Sequence, residues 1–243
     1  MSGHSKWANI KRRKAAVDAK KGALFTKLGK ELISAAREGG GNPDSNLRLR
    51  LAIERARAAN MPMENIQRSI MKGTGELSEG AVYEELTYEG YGPGGVAILV
   101  ELMTDNRNRT AQEIRYLFSR HGGNLGETGC VAWMFSKRGS IILAKEQNAV
   151  SEDDVMLLAL EAGAEDVRDE GDAYEIVTAP ADFPAVLEAV RKADLKVAEA
   201  GITLVPQSTV HLEGEEAEKC LRLIEALEDH EEVQNVYANY ETD

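Results

Sequence analysis

The spacing of apolar residues changes character once, near residue 74. That change restricts the chain to a helical piece followed by α+β pieces. Before it, apolar side chains recur at helical intervals. Leu24, Phe25, Leu28, Leu32, Ile33 and Ala36 form one stripe, with Lys27, Lys30 and Arg37 between them, so the spacing predicts an amphipathic helix over 23–37. Gly39-Gly40-Gly41 ends it. Asn42-Pro43-Asp44 reads as a fresh start, a capping side chain followed by proline in the first turn. In 47–59, Leu47, Leu49 and Leu51 alternate as in a strand, but Ile53, Ala56 and the Ala/Arg/Glu richness favour helix. Met61-Pro62 opens a third helix, with Met63, Ile66 and Ile70 on one face and Gly73 closing it. Residues 1–22 are basic with few apolar side chains, and read either as a helix completed by packing or as an arm that orders on binding. Thr74–Gly80 reads as a linker.

Beyond the linker, Val96–Leu102 has the pattern of a buried strand. A helix is expected over 108–121, with Thr110-x-x-Glu113 as a capping box. A glycine-rich loop (Gly122, Gly123, Gly126, Gly129) leads to a strand near 131–135. Strands at 140–144, 164–168, 173–177 and 197–205 then alternate with helices at 155–162 and 182–193. That order is β-α-β-β-α-β, the split arrangement of ferredoxin-like folds. The last helix (215–228) and strand (233–240) have no partners of their own, but complete the unit begun at Val96. The expected fold class is α+β multidomain: a basic all-helical domain (1–78), a discontinuous α+β domain (79–133 with 207–243), and a ferredoxin-like α+β domain inserted in it (134–206).

Charge divides along the same boundary. Residues 1–73 hold 16 Lys+Arg against 6 Asp+Glu, net +10, which leaves 13 against 35 in positions 74–243, net −22. The whole-chain charge of −12 hides this split. A strongly basic segment in an acidic protein points to a polyanionic partner. The acidic part would repel that partner, so its carboxylates are expected to face away from the basic helices. The longest aliphatic run, Val96–Val100, is far short of the ~20 residues a membrane helix needs. No apolar stretch follows the basic start, so no secretory signal is expected. Two cysteines cannot form a disulfide framework, which fits a reducing cytoplasm.

The strongest candidate chemistry is cationic. Lys11-Arg12-Arg13-Lys14, with Lys6, Lys20, Lys21 and Lys27, offers several cations to a phosphate backbone. A solvated basic face is the plain alternative, and a bias sustained from Lys6 to Lys72 favours nucleic acid. Trp7 beside Lys6 suits stacking on a base, or the anchoring of a helix equally well. Arg48 and Arg55, seven residues apart, share a face of the second helix and either extend the footprint or solvate that helix. Tyr88-Glu89-Gly90-Tyr91-Gly92-Pro93-Gly94-Gly95 lacks the Lys-Ser/Thr ending of a phosphate-binding loop, so it reads as a fixed turn whose Tyr88 and Tyr91 offer a contact surface. Asp105-Asn106-Arg107-Asn108-Arg109-Thr110 either caps a helix or binds an anion through Arg107 and Arg109. Cys130, followed by an apolar residue, reads as a core thiol. His4, His121, His211 and His230 are scattered, and no Cys/His pair has ligand spacing. No nucleophile motif occurs. No catalytic residue, metal, cofactor, small-molecule substrate or membrane partner is therefore expected.

Gly3-His4-Ser5-Lys6-Trp7-Ala8-Asn9-Ile10-Lys11, Arg13-Lys14-Ala15-Ala16-x-Asp18-Ala19-Lys20, Gly39-Gly40-Gly41-Asn42-Pro43, the two motifs at 88–95 and 105–110, and Gly122-Gly123-Asn124-Leu125-Gly126 together resemble the YebC/PmpR family, to which the mitochondrial translational activator of cytochrome oxidase belongs. The resemblance runs nearly end to end. It implies a helical basic domain and two α+β domains in a cytoplasmic, non-enzymatic protein. The family is labelled as probable DNA-binding transcriptional regulators, and members are also described as ribosome-associated factors that relieve stalling on proline-rich stretches. The partners it implies are DNA or ribosomal RNA, with RNA polymerase or the ribosome behind them. A third reading is a module whose acidic domains dock on a basic surface of polymerase or ribosome.

Overall fold

A computed structural model of the chain describes residues 21–77 and 82–242. The first three helices are α1 (Lys21–Gly39), α2 (Leu47–Ala58) and α3 (Met63–Thr74). Their core is Leu32, Ala35, Ala36, Leu49, Ala52, Ala56 and Ile66. Leu49 and Leu51 lie inside a helix, so the alternation over 47–51 does not make a strand. Asn46, not Asn42, caps α2. Its side-chain oxygen accepts from the Leu49 amide at 3.0 Å, and its amide group donates to the Ala35 and Gly40 carbonyls at 2.8 and 2.9 Å. One side chain thus starts α2 and closes α1. Asn42 instead holds the Asp44 amide at 3.0 Å in a tight turn.

Gly73 does not close α3; Gly75 does, with a left-handed φ of 80°. Gly73 lies where α1 and α3 cross, and a Cβ there would meet the Ile33 carbonyl oxygen at 2.5 Å and the Ala36 Cβ at 2.7 Å. Helix propensity alone would favour Gly73→Ala by about 1 kcal/mol. Forcing the helices apart costs about 1–3 kcal/mol. The variant is therefore expected to lose up to about 2 kcal/mol in urea titration, and a stabilised variant would contradict this crossing.

The described residues fall into two compact units. One takes in everything up to Trp133 together with Val210–Tyr240, and the other contains Met134–Thr209. In the first, β1 (Glu84–Tyr91) and β2 (Ala97–Thr104) form an antiparallel hairpin. Next in sequence come α4 (Arg107–Arg120) and β3 (Asn124–Leu125). The chain returns at β8 (Val210–His211), which pairs with β10 (Tyr240–Glu241). Helix α7 (Gly214–Asp229) and β9 (Val233–Ala238) complete a sheet of order β3-β1-β2-β9. Ile98, Val100 and Leu102 of β2 pack with Ile114 and Phe118 of α4 and with Cys220, Leu223 and Leu227 of α7.

Strand β1 was not expected. Its sequence EELTYEGY is rich in Glu, and the predicted turn over 88–95 is confined to its end, where Gly94 and Gly95 take φ of 71° and 76°. Helix α4 is capped by Asn106, whose side chain accepts from the Arg109 amide at 3.1 Å. Thr110 is buried inside the helix, so the expected capping box does not form.

The second unit runs β4 (Phe135–Ala144), α5 (Glu152–Glu161), β5 (Asp166–Asp169), β6 (Ala173–Thr178), α6 (Phe183–Lys192) and β7 (Glu199–Pro206). Its sheet has the order β5-β6-β4-β7, every pair antiparallel, as a ferredoxin-like split β-α-β requires. The expected strands at 131–135 and 140–144 are one continuous β4, preceded by a 3-10 turn at Ala132–Met134. The overall class is α+β, with a helical amino-terminal region ahead of two sheet-and-helix folds. No helix among the described residues is long and apolar enough to cross a membrane.

Candidate nucleic-acid interface

The cations of the first three helices do two kinds of work. Lys6, Trp7, Lys11, Arg12, Arg13, Lys14 and Lys20 lie outside the described residues, and Lys21 opens α1 without a described side chain. Further along α1, Lys27 donates to the Glu228 carbonyl in the last turn of α7. That carbonyl end carries the negative pole of the helix, which favours a cation. One turn on, Lys30 is buried and donates to the Met103 and Glu231 carbonyls, both at 3.3 Å. Its ammonium lies 5.3 Å from the centre of the Tyr83 ring. Burial lowers the Lys30 pKa from its ordinary value, and nearby Glu232, Asp105 and Glu231 offset only part of that. These carboxylates therefore do not all face away from the basic helices, contrary to expectation. Two cations of α1 join the helical module to the acidic end of the same unit.

Arg48 is a structural clamp. Its guanidinium meets Glu31 at 3.0 Å, Glu38 at 2.6 Å and Glu85 at 2.8 Å, and Ser34 donates to the same Glu85 carboxylate. Burial would lower the Arg48 pKa, but the bonds to Glu31, Glu38 and Glu85 outweigh it and raise it. With three carboxylates around it, no edge of the fork is left for a phosphate. Arg48→Met is expected to cost about 2 kcal/mol in urea titration, less than a fully buried pair because the site is partly solvated. Affinity for duplex DNA should stay within about twofold. A large loss of affinity at unchanged stability would return Arg48 to the interface. Arg55 remains exposed near the end of α2, as do Arg37, Arg57 and Arg68 on the three helices.

The two candidate loops resolve differently. Tyr88 packs against the core with its hydroxyl 3.5 Å from the Arg107 carbonyl. The Tyr91 hydroxyl donates to the Cys130 carbonyl at 3.2 Å. Both brace the fold. In the 105–110 motif, the Thr104 hydroxyl accepts from the Asn106 amide at 2.8 Å and lies 2.9 Å from the Thr110 hydroxyl. Thr110 and Arg109 both donate to the Glu232 carboxylate. The motif is thus a helix start sealed to the carboxyl-terminal part of the chain. Arg109 is committed to Glu232, and Arg107 is exposed. Burial would raise the Glu232 pKa, but bonds from Thr110 and Thr104 and the cations Lys30 and Arg109 hold it below the ordinary carboxylate value.

Sequence reasoning also missed Glu89. It is 4 % exposed, and its carboxylate accepts from the backbone amides of Gly129, Val131 and Ala132 at 2.7, 2.8 and 2.7 Å. Burial would raise its pKa, but these three donors lower it. Cys130, expected in a core, is half-buried in the loop that Glu89 ties down; Cys220 is the core cysteine, its thiol pushed up to about 12 by burial. The exposed face of α4, with Arg115, Tyr116 and Arg120, was missed as well. Its only signal was arginines recurring on the polar side of an amphipathic helix. No group of three His, Cys, Asp or Glu side chains among the described residues could hold a metal ion.

Comparison with known proteins places this architecture. Residues 5–76 match the TACO1/YebC protein N-terminal domain, and residues 83–240 match the TACO1/YebC second and third domain. A protein of Pelotomaculum thermopropionicum, named a probable transcriptional regulatory protein, is 61% identical over 241 residues, covering 99% of both chains. One of the same name in Dictyoglomus turgidum is 59% identical, covering 99% of this chain and 96% of its own. A conserved hypothetical protein from Aquifex aeolicus has a crystal structure that matches with a TM-score of 0.86 at 49% identity, covering 94% of this chain and 93% of that one. With both of its parts matched and relatives this close along its length, the chain belongs to the TACO1/YebC family.

Proposed function

We propose that this protein is a non-enzymatic, nucleic-acid-binding regulator of gene expression that acts on DNA in the cytoplasm as a transcriptional regulator. The observation that carries the reading is the charge split: +10 over positions 1–73 against −22 over positions 74–243. The internal partners of Lys27, Lys30 and Arg48 do not remove it. The positive flank then rests on the cations of residues 1–21 and on the exposed Arg57 and Arg68. Its relatives' name, probable transcriptional regulatory protein, supports regulation at the level of the family. In this reading residues 1–78 form the nucleic-acid-binding domain. Residues 79–133 with 207–243, and the inserted 134–206, form two acidic α+β domains suited to a basic surface on polymerase or ribosome.

Competition tests the choice of target. Fluorescently labelled protein bound to duplex DNA is challenged with unlabelled duplex or with ribosomes. Displacement by duplex at lower concentration is the expected result. Displacement by ribosomes alone would replace DNA with ribosomal RNA as the target.

A further inference from the structure

The chain beyond Gly73 holds 13 Lys+Arg against 35 Asp+Glu. Yet Arg107, Arg109, Arg115 and Arg120 all fall within α4, beside one acid, Glu113. A surface helix that served only to keep an acidic body solvated would share its sign. Two of these charged side chains are committed inside the unit: Arg109 to Glu232, and Glu113 to the His230 ring at 3.0 Å. Arg107, Arg115 and Arg120 remain exposed, with no carboxylate partner among the described residues. They are strung along about 20 Å of helix axis at 1.5 Å per residue.

Between them lies an aromatic. Tyr116 is 59% exposed, and Arg120 steadies it, donating to its hydroxyl at 3.2 Å with the guanidinium 5.9 Å from the ring centre. Asn108, Gln112 and Ser119 are exposed on the same side of the helix. The face is therefore a neutral polar and aromatic stripe with Arg115 along one edge and Arg120 along the other, while Arg107 stands at the helix start on the side of Ile114. An acidic protein surface would meet the cations and could pack on the ring as well, so the choice of a nucleic acid rests on the reading of the protein as a nucleic-acid binder. Duplex nucleic acid, whose bases are stacked internally, would use the cations but leave the ring idle. A strand with unpaired bases uses both, through phosphate neutralisation and base–aromatic stacking.

We propose that the outward face of α4 is a second nucleic-acid contact, at which Arg115 and Arg120 hold phosphates and Tyr116 stacks on an unpaired base. This contact rests on the reading of the protein as a nucleic-acid binder and adds to it a preference for single-stranded segments. Single-stranded RNA and melted DNA share that chemistry.

The test uses the full chain and three short labelled probes of one sequence: single-stranded RNA, single-stranded DNA and duplex DNA. Tyr116→Ala is expected to weaken single-strand binding about 5- to 100-fold, the usual range for one lost stack, with duplex binding changed less than about twofold. Tyr116→Phe should restore it. Replacing Arg115 and Arg120 together by Ala should flatten the single-strand salt slope by about 1.4, two phosphates at about 0.7 each. The probe whose binding falls further identifies RNA or DNA as the source. Unchanged circular dichroism checks the fold, since every substituted side chain is exposed. Wild-type binding to single strands that neither variant alters would overturn this contact and leave the basic amino-terminal flank standing. A wild-type protein that binds none of the probes would overturn both.

Discussion

Replacing Lys11, Arg12, Arg13 and Lys14 together by glutamate is expected to weaken duplex DNA binding roughly 10³-fold or more, with the circular dichroism spectrum unchanged. The size follows from the chemistry of polyelectrolytes. Each phosphate that a cation neutralises releases condensed counterions, and a reversed charge also repels the phosphate it had attracted. The expectation of an intact fold rests on the packing of α1–α3, whose core is built from Leu32, Ala35, Ala36, Leu49, Ala52, Ala56 and Ile66. A gel shift against labelled duplex measures the first quantity, and circular dichroism the second. Binding retained within about threefold would remove this segment from the interface.

The second large effect is on stability. Glu89→Ala is expected to cost about 2–3 kcal/mol. It removes the one acceptor shared by the Gly129, Val131 and Ala132 amides; the buried Val131 donor left without a partner costs about 1–3 kcal/mol, and the partly buried Gly129 and Ala132 amides, which water can reach, add less. Acid should have a related effect in the wild type. The Glu89 carboxyl has a lower pKa folded than unfolded. Its contribution is complete above the unfolded value, about 4.3, and is lost as pH falls through the folded value. Glu85 and Glu232 are also lowered, burial being outweighed by Ser34 and Arg48 at Glu85 and by Thr110, Thr104, Lys30 and Arg109 at Glu232. Stability should therefore fall below about pH 4.5. Urea midpoints measured across this range should show a weaker acid dependence for Glu89→Gln than for wild type. Parallel curves would mean that Glu89 is not held ionised by its loop.

The elements easiest to read in the sequence were those in which one hydrophobic period runs unbroken over a whole segment. Leu24 to Ala36 gave α1, and the β-α-β-β-α-β order of 134–206 emerged from alternating short patterns. Strand β1 was hidden because polar and glycine residues fill it. Glu89 is buried there to bind the distant loop at Gly129–Ala132, and Gly90 sits where a Cβ would meet the Asn124 carbonyl at 2.5 Å. Neither fact has a local signature. Asn46 rather than Asn42 caps α2 because its side chain also packs against the end of α1, where it bonds the Ala35 and Gly40 carbonyls, and that has no local signature.

The candidate site was legible as a charge distribution but not as a set of side chains. Lys27, Arg48 and Arg109 look like any other cation in the sequence. Their partners Glu228, Glu85 and Glu232 lie 201, 37 and 123 residues away, so their internal roles show only in three dimensions. The reverse holds for α4. Arg115 and Arg120 carry no motif, and their meaning comes from exposure within an acidic unit.

The most direct test of the electrostatic account is the salt dependence of duplex DNA binding by the intact chain. Neutralisation of six or more phosphates predicts a slope of log K against log salt of about −5 or steeper, roughly a 10³-fold loss between 50 and 200 mM. An affinity that changes less than about threefold over that range would contradict it.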